Sequence, residues 1–530
     1  MINLGRTPCD EGVIRAASAT PGCADRAKPW VLAAAILGSS MAFIDGSAVN
    51  VALPLIQSDV NVSVQGAQWI INGYTVMLGA LILAGGSAGD RFGRRRIFAL
   101  GAAIFTAASI SCGLAPNATV LVAARLVQGI GGALLVPGSL ALISASFPAE
   151  ERGKAIGTWA GLSAVTTALG PVLGGWLADA LSWRAIFFIN VPIALITLWI
   201  AFRHVPESRD RSEGWTFDWR GGFLVTVGLL ALAYGLTATS ERDWADPWVS
   251  GPLLVSAAFM AAFIWSEARG PSPMLPLGLF RSPTFSGANV MTLLLYFALS
   301  GAFFLLPFNL VQIQGYSATL AGASFLPFTL IMGGLSRWSG GLIDRYGARL
   351  PLTVGPVVAA TGLALFAVPS IGGSYWITFF PGMVFVGLGM TVSVAPLTTT
   401  VMGSVEDQHA GAASGINNAI SRIAGMLAVA LLGAFAVGTF GFALDARLSQ
   451  MQLASDVRLA LKAEVPKLAE AQVPSQVQGE QRLVLKRALE GSFVRSFRLA
   501  MLVSACVALV SALCAWLTTA PLAGLKTRPR

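Results

Sequence analysis

The chain has 530 residues, 55% of them hydrophobic and only 12% charged, with a formal net charge of +9 and a mean hydropathy of +0.69. Soluble domains carry roughly a quarter charged residues, so this composition excludes a water-soluble fold and points to an all-α polytopic membrane protein. The basic excess needs no nucleic acid to explain it, because charge sits in short patches between apolar runs of roughly 20 residues, the length that crosses a bilayer core.

Residues 1–29 form a polar tail, and the apolar run 30–54 is too long for the core of a cleavable signal sequence, so it reads as the first span. Further runs place spans at 68–89, 97–115, 119–140, 156–179, 185–203, 221–238, 250–267, 286–308, 319–339, 352–370, 375–398, 413–441 and 495–518, which makes fourteen. Lys and Arg gather in the tails and in alternate connections. The short connections at the other end hold only Arg184 and Arg242, which predicts that both termini are cytoplasmic.

Asp45, near the middle of the first span, is the sole acid at that depth. Placing an ionised side chain there costs roughly 2.5–3.5 kcal/mol on insertion scales, so such residues face a cavity or a partner. Three roles stay open for it: a carboxylate that loads and loses a proton, a counter-charge for a cationic substrate, or a fixed ion-pair partner. In the second span Trp69 and Tyr74 are candidates to line a substrate cavity, as are Tyr296 and Asn417 further on.

The second span ends in Gly86-x-x-x-Asp90-Arg91-x-Gly93-Arg94-Arg95, and a near-copy, Gly340-x-x-x-Asp344-Arg345-x-Gly347-x-Arg349, lies 254 residues later. Each copy falls between two apolar runs, so the pair marks tight turns repeated in two halves, the pattern of carriers that rock one half against the other. Glycine permits left-handed turns and close approach; a carboxylate at a helix end can cap free N–H groups of a neighbour and pair with Arg, which makes the turn a candidate latch. The repeat splits the spans into six, two and six. The units are a bundle at 30–203, a linker with two extra spans at 204–285, a second bundle at 286–518, and a tail at 519–530. Residues 442–494, between the last two spans, are amphipathic and broken by Pro466 and Pro474, which suggests a small helical hairpin or cap on the outer face.

Arg125 and Gln128 share a helix face in the fourth span, followed by Gly129, Gly131 and Gly132, which permit close packing. A buried Arg there can link the protonation of a carboxylate to conformation, or serve as a packing salt bridge. The fifth span carries Gly170-Pro171-x-x-Gly174-Gly175, suited to a hinge or a seal. Arg422, four residues after Asn418, reads as a polar contact between bundles. The cysteines Cys9, Cys23, Cys112, Cys506 and Cys514 show no disulfide or metal spacing, and His204 and His409 fall in connections. No phosphate-cradling loop or nucleophile–base set appears, so neither an enzyme nor an ATP-driven pump is expected.

Together these residues resemble the major facilitator superfamily, and specifically its fourteen-span drug:proton antiporter branch. Phe43-Ile44-Asp45-x-x-x-x-Asn50-Val51-Ala52-Leu53-Pro54 matches the branch's first-span signature; Trp69 and Tyr74, the Asp90 turn, Arg125-x-x-Gln128-Gly129, the Gly170 motif and Trp183-Arg184-x-x-Phe187-Phe188-x-Asn190-Val191-Pro192 match its other signatures. Two departures are Thr166, where a glycine is usual, and Ala348, in the place Arg94 holds in the first turn. The resemblance implies a bacterial inner-membrane exporter working by alternating access, with two six-helix bundles and two linker helices. It needs no cofactor, since inward-moving protons drive it. It implies a small-molecule substrate, lipophilic or cationic, and leaves room for a periplasmic adaptor; nucleic acid is no partner. Asp45, Arg125 and Gln128 would couple proton and substrate, and Gly86, Asp90, Arg91, Gly93, Arg94, Asp344 and Arg345 would form the cytoplasmic latch. Gly170, Pro171, Gly174 and Gly175 would be the hinge. A dedicated exporter of one endogenous antibiotic, amino acid or siderophore is the alternative, and a non-transporting membrane sensor a more distant one.

Overall fold

Lipid offers no hydrogen-bond partner to a peptide group, so a spanning segment must satisfy its backbone internally, and every apolar run here is a helix. The computed structural model describes residues 21–209, 218–270, 273–406, 410–451 and 453–519. The helices are α1 (Pro21–Val60), α2 (Val64–Phe92), α3 (Arg94–Gly113), α4 (Ala118–Ser146), α5 (Ala149–Ala180), α6 (Asn190–His204), α7 (Trp219–Ala238), α8 (Pro247–Arg269), α9 (Pro283–Phe308), α10 (Ala318–Ala323), α11 (Leu326–Gly340), α12 (Arg349–Leu365), α13 (Phe380–Gly403), α14 (Ala410–Leu448), α15 (Ser455–Ala463) and α16 (Gly479–Thr518). Among the described residues, thirteen stretches are long and apolar enough to cross a membrane, α10 and α11 counting as one; α12, at 17 residues, is a shorter apolar helix in the eleventh position. Polar residues start several of them: Asn117 accepts from Val120 N–H at 3.0 Å, and Asp246 from Trp248 N–H at 2.8 Å just before Pro247.

Helices α1–α6 pack among themselves, as do α9, α11–α14 and α16. α7 and α8 pair, and α7 lies along the seam where α2 meets α14, with Val76, Ala80, Leu229, Ala233 and Met426 buried together. The two halves therefore meet along α2–α14 and along α5 with α10 and α11.

The second contact is closed at one end only. Near the α1–α2 connection, a Cβ on Gly175 would overlap the Ala318 carbonyl, and one on Gly322 would overlap the Pro171 carbonyl. The Asp179 carboxylate crosses the seam there to the start of α10, accepting from Thr319 N–H at 2.7 Å, Thr319 Oγ1 at 2.6 Å and Ala318 N–H at 3.2 Å. Eighteen residues is five turns at 3.6 residues per turn, so Gly157 presents the same face of α5 as Gly175. Among the described residues, a Cβ added at Gly157, or at Gly334 or Gly340 of α11, would meet no neighbouring helix within 4 Å. The halves thus touch at this end and part toward the end that carries the Arg91 and Arg345 turns.

The 442–494 segment continues both neighbouring spans. α14 continues to Leu448 and α16 begins at Gly479, so both spans project beyond the bundle, and the residues between them fold down as a cap. Leu461, Leu468 and Val477 join the main core. Leu468 is held at φ 53° with its side chain buried. The cap reaches the first half: Gln57 Nε2 donates to Lys467 O at 3.4 Å, and Ser58 and Gln312 both bond the Glu470 carboxylate.

Two outcomes follow from the closed end. Gly175→Val places a branched side chain against a backbone carbonyl that cannot swing aside, so the halves must separate there. Spin labels at the exposed positions Leu181 and Leu320 should report a distance several ångströms longer in the variant; an unchanged distance would show that this contact does not set the conformation. Burial raises the Glu470 carboxyl above its ordinary value, opposed by the Ser58 and Gln312 bonds and by Lys467, and reinforced by Glu464. A raised acid favours the docked cap below the ordinary value of 4.5 and loses that contribution as pH rises through the shifted value. Amide protection factors across 461–477, corrected for the intrinsic pH dependence of exchange, should therefore fall as pH rises above 4.5, and Glu470→Gln should flatten that fall.

Candidate functional site

Asp45 lies near the middle of α1 and faces α4. Arg125 and Gln128 sit three residues apart on α4, so their side chains leave the helix on one face and reach Asp45 together. Arg125 Nη1 donates to Asp45 Oδ2, Gln128 Nε2 donates to Asp45 Oδ1 at 2.9 Å, and Arg125 Nη1 also donates to Gln128 Oε1 at 2.8 Å. Arg125 Nε donates to the Ile70 carbonyl at 2.9 Å, and the guanidinium lies over the Tyr74 ring at 4.5 Å. Asp45 and Gln128 are 0% exposed and Arg125 1%, so in this conformation the carboxylate is an ion-pair partner and does not line open space. Glycine makes this possible: a Cβ on Gly129 would stand 2.5 Å from the Tyr74 carbonyl, and one on Gly73 would be 3.6 Å from Arg125 Cβ.

The proposed cavity residues divide. Tyr74 is fully packed beneath Arg125, with its hydroxyl 3.3 Å from the Ala42 carbonyl. Trp69 turns toward α7, its ring 6.2 Å from Tyr234, and not toward the centre, because the linker helix covers that face of α2. Asn417 is held within the second half, its Nδ2 donating to Thr292 Oγ1 at 2.7 Å and Asn289 Oδ1 at 3.1 Å, and Tyr296 follows one turn beyond Thr292 on α9.

In the first turn, Asp90 caps no neighbouring helix. It pairs with Arg94 at 2.8 Å within its own turn, while Arg91 is exposed beside Phe92. Gly93, at φ 110°, makes the turn, and a residue from beyond α6 holds it: Glu207 Oε1 accepts from Arg95 N–H at 3.1 Å, and Glu207 Oε2 lies 3.7 Å from Arg95 Nε and 3.6 Å from Arg96 Nε. Gly86 packs on Pro137 of α4. In the second turn Gly347 is at φ 72°, Arg345 lies over Tyr346 at 5.5 Å, and the Asp344 side chain is outside the described residues. Helical geometry runs unbroken through Pro171, and Gly170 and Gly174 press onto Ser47 and Ala48 of α1, so these glycines provide close approach. His204 is not in a connection but ends α6, its ring stacked on Trp30 at 4.2 Å; His409 is outside the described residues.

Sequence reasoning passed over Asp179 and Glu207. Asp179 is a lone acid at the end of a span, and that isolation was the available signal; Glu207 lies in a segment rich in charge, where nothing local set it apart. The Trp183–Pro192 run is a structural brace: Trp183 Nε1 and Arg184 Nη1 both donate to Asp59 Oδ2 at 2.9 Å, and Asn190 Nδ2 donates to Ser109 Oγ at 3.0 Å. Among the described residues no group of His, Cys, Asp and Glu is placed to hold a metal ion.

Comparison with known proteins agrees with this geometry. Residues 35–429 match the family model described as Major Facilitator Superfamily. The chain is 35% identical to multidrug resistance protein Stp of Mycobacterium tuberculosis over 77% of this chain and 76% of that one. It is 31% identical to the tetracenomycin C resistance and export protein of Streptomyces glaucescens over 94% and 93%. Among solved structures, a bacterial homologue of the lysosomal transporter Spinster superposes with a TM-score of 0.64 at 18% identity, over 94% of this chain and 98% of that chain. Two seam-joined sets of helices, a repeated Gly-Asp-Arg turn and these relatives agree: the chain is a multi-pass membrane transporter, not an enzyme, and belongs to the Major Facilitator Superfamily.

Proposed function

We propose that the protein is a proton-driven exporter of drug-like small molecules, working by alternating access from a bacterial cytoplasmic membrane. Its relatives named for resistance to or export of tetracenomycin C, puromycin and methylenomycin A, and for multidrug resistance, support the substrate class. The Lys and Arg pattern puts the Arg91 and Arg345 turns, and both termini, on the cytoplasmic side. The open end of the seam then faces the cytoplasm and the capped end is shut, so this is the state that loads substrate.

The observation that carries the proton reading is the sealed contact of Asp45 with Arg125 and Gln128. Protonating Asp45 removes one charge of the pair and weakens its hold on α1. Arg125 keeps the Ile70 carbonyl, Gln128 Oε1 and the Tyr74 ring, so its charge stays partly compensated. Along α1, Ser47 and Ala48 follow Asp45 within one turn and bear on Gly170 and Gly174 of α5; one step across α5, Pro171 and Gly175 touch Gly322 and Ala318 of the other half. A shift of α1 on protonation thus reaches the closed seam through backbone-tight contacts. Substrate would occupy the seam and not the sealed site.

In proteoliposomes with an imposed pH gradient, efflux of a fluorescent lipophilic substrate should stop on adding a protonophore. Asp45→Asn should reduce it to the level of protein-free vesicles while the protein remains folded, since the amide keeps a neutral hydrogen bond to Gln128. Gradient-driven efflux that survives the substitution would move the coupling elsewhere. Asp45→Ala strands Arg125 without a counter-charge and should destabilise the protein by about 3–5 kcal/mol, read as a lower thermal midpoint in detergent.

A further inference from the structure

With Asp45 bound to Arg125, these two charges cancel, and the charge left at that depth is Arg422 on α14. Its Cβ lies 3.4 Å from where a Cβ on Gly79 of α2 would be, so it stands on the seam between the halves. Its Nε is buried with no hydrogen-bond partner, and among the described residues its guanidinium makes no hydrogen bond or ion pair. The ionisable groups that act on it are the phenols of Tyr74 and Tyr296, neither of which is a counter-ion at neutral pH.

The surroundings are polar and neutral. Asn417 is held by Asn289 and Thr292; Asn418, one turn from Arg422 and eight residues into α14, is exposed. Arg422 itself is half-buried. The nearest acid on α14 is Asp445, more than six turns from Arg422. A deep cation without a counter-ion is costly in lipid, and a charged residue kept at this depth normally has a partner. Among the described side chains, none is that partner.

Resting on the exporter reading above, we infer that the seam between α2, α9 and α14 is an anion-recognising substrate site, in which Arg422 pairs with the phenolate or carboxylate of an acidic aromatic compound. The site therefore favours organic anions over the lipophilic cations that Asp45 alone would suggest. Tyr296 supplies a ring near the charge, and Asn418 an exposed amide one turn from Arg422 on the same face of α14. Because Arg125 already neutralises Asp45, a cationic substrate entering this space meets a like charge.

The test uses fluorescein, an organic anion at neutral pH, and tetraphenylphosphonium, a lipophilic cation. Binding of each to the purified full-length protein in detergent is measured by polarisation and by radiolabel. The native protein should bind fluorescein more tightly than the cation. Arg422→Gln should weaken fluorescein by about tenfold or more, the value of one charge-assisted contact, while Arg422→Lys should keep most of the affinity. Tetraphenylphosphonium should bind no worse to Arg422→Gln than to the native protein. Preference for the cation, fluorescein binding that ignores Arg422→Gln, or equal weakening in both variants would overturn the anion site. Gradient-driven transport in vesicles is scored separately. Gradient-driven export of the cation, with fluorescein neither bound nor moved, would leave the exporter standing without this site. Binding without gradient-driven movement of either probe would overturn the exporter reading and leave the site.

Discussion

Ionised groups cannot stand alone in a bilayer, and the Asp45–Arg125 pair is the point at which this chain meets that constraint. Each charge by itself costs roughly 2.5–3.5 kcal/mol to insert, so the two are tolerable only when held against each other and against Gln128 and the Ile70 carbonyl. Meeting these demands fixes α1, α2 and α4 relative to one another. It also explains the glycine beside the site: without Gly129 the backbones of α2 and α4 could not come near enough for the side chains to close. On the proposed reading the pair would act as a switch, since one proton removes the carboxylate's charge.

The closed seam follows from a different shortage. In lipid there is no hydrophobic drive between helices, so contact must come from close packing and hydrogen bonds. Gly175 and Gly322 let α5 and α10 meet backbone to backbone, and Asp179 satisfies the first N–H groups of α10 across the gap. Such a contact has no slack. It is made or broken as a unit, which is the behaviour an alternating carrier needs at each end of its seam. The cap adds a second bridge at that end through Gln57 and Ser58.

The two related turns show how similar sequence serves unlike contacts. Both place a glycine at positive φ, Gly93 and Gly347, because only glycine takes that conformation without strain. In the first, the basic residues Arg95 and Arg96 are gathered by Glu207, which tethers the turn to the segment leaving α6. In the second, Arg349 instead lies over Trp516 of α16 at 3.6 Å. With the halves parted at this end, the Asp90 carboxylate is left to Arg94 of its own turn.

Much of the architecture was legible in one dimension. Span positions follow from apolar length alone, because each helix must satisfy its own backbone, and Asp45 and Arg125 were marked by their depth. Partnership was not legible. Asp45 and Arg125 are 80 residues apart, Glu207 reaches back 112 residues to Arg95, and Trp69 looked like a cavity residue until α7 covered it. By itself the sequence determined that the chain is a helical membrane protein, where its helices run and which end carries the positive charge. Only the tertiary structure decided which charges cancel, which glycines are contacts and that Arg422 is left over, because those outcomes depend on which helix faces meet, and no local pattern encodes that.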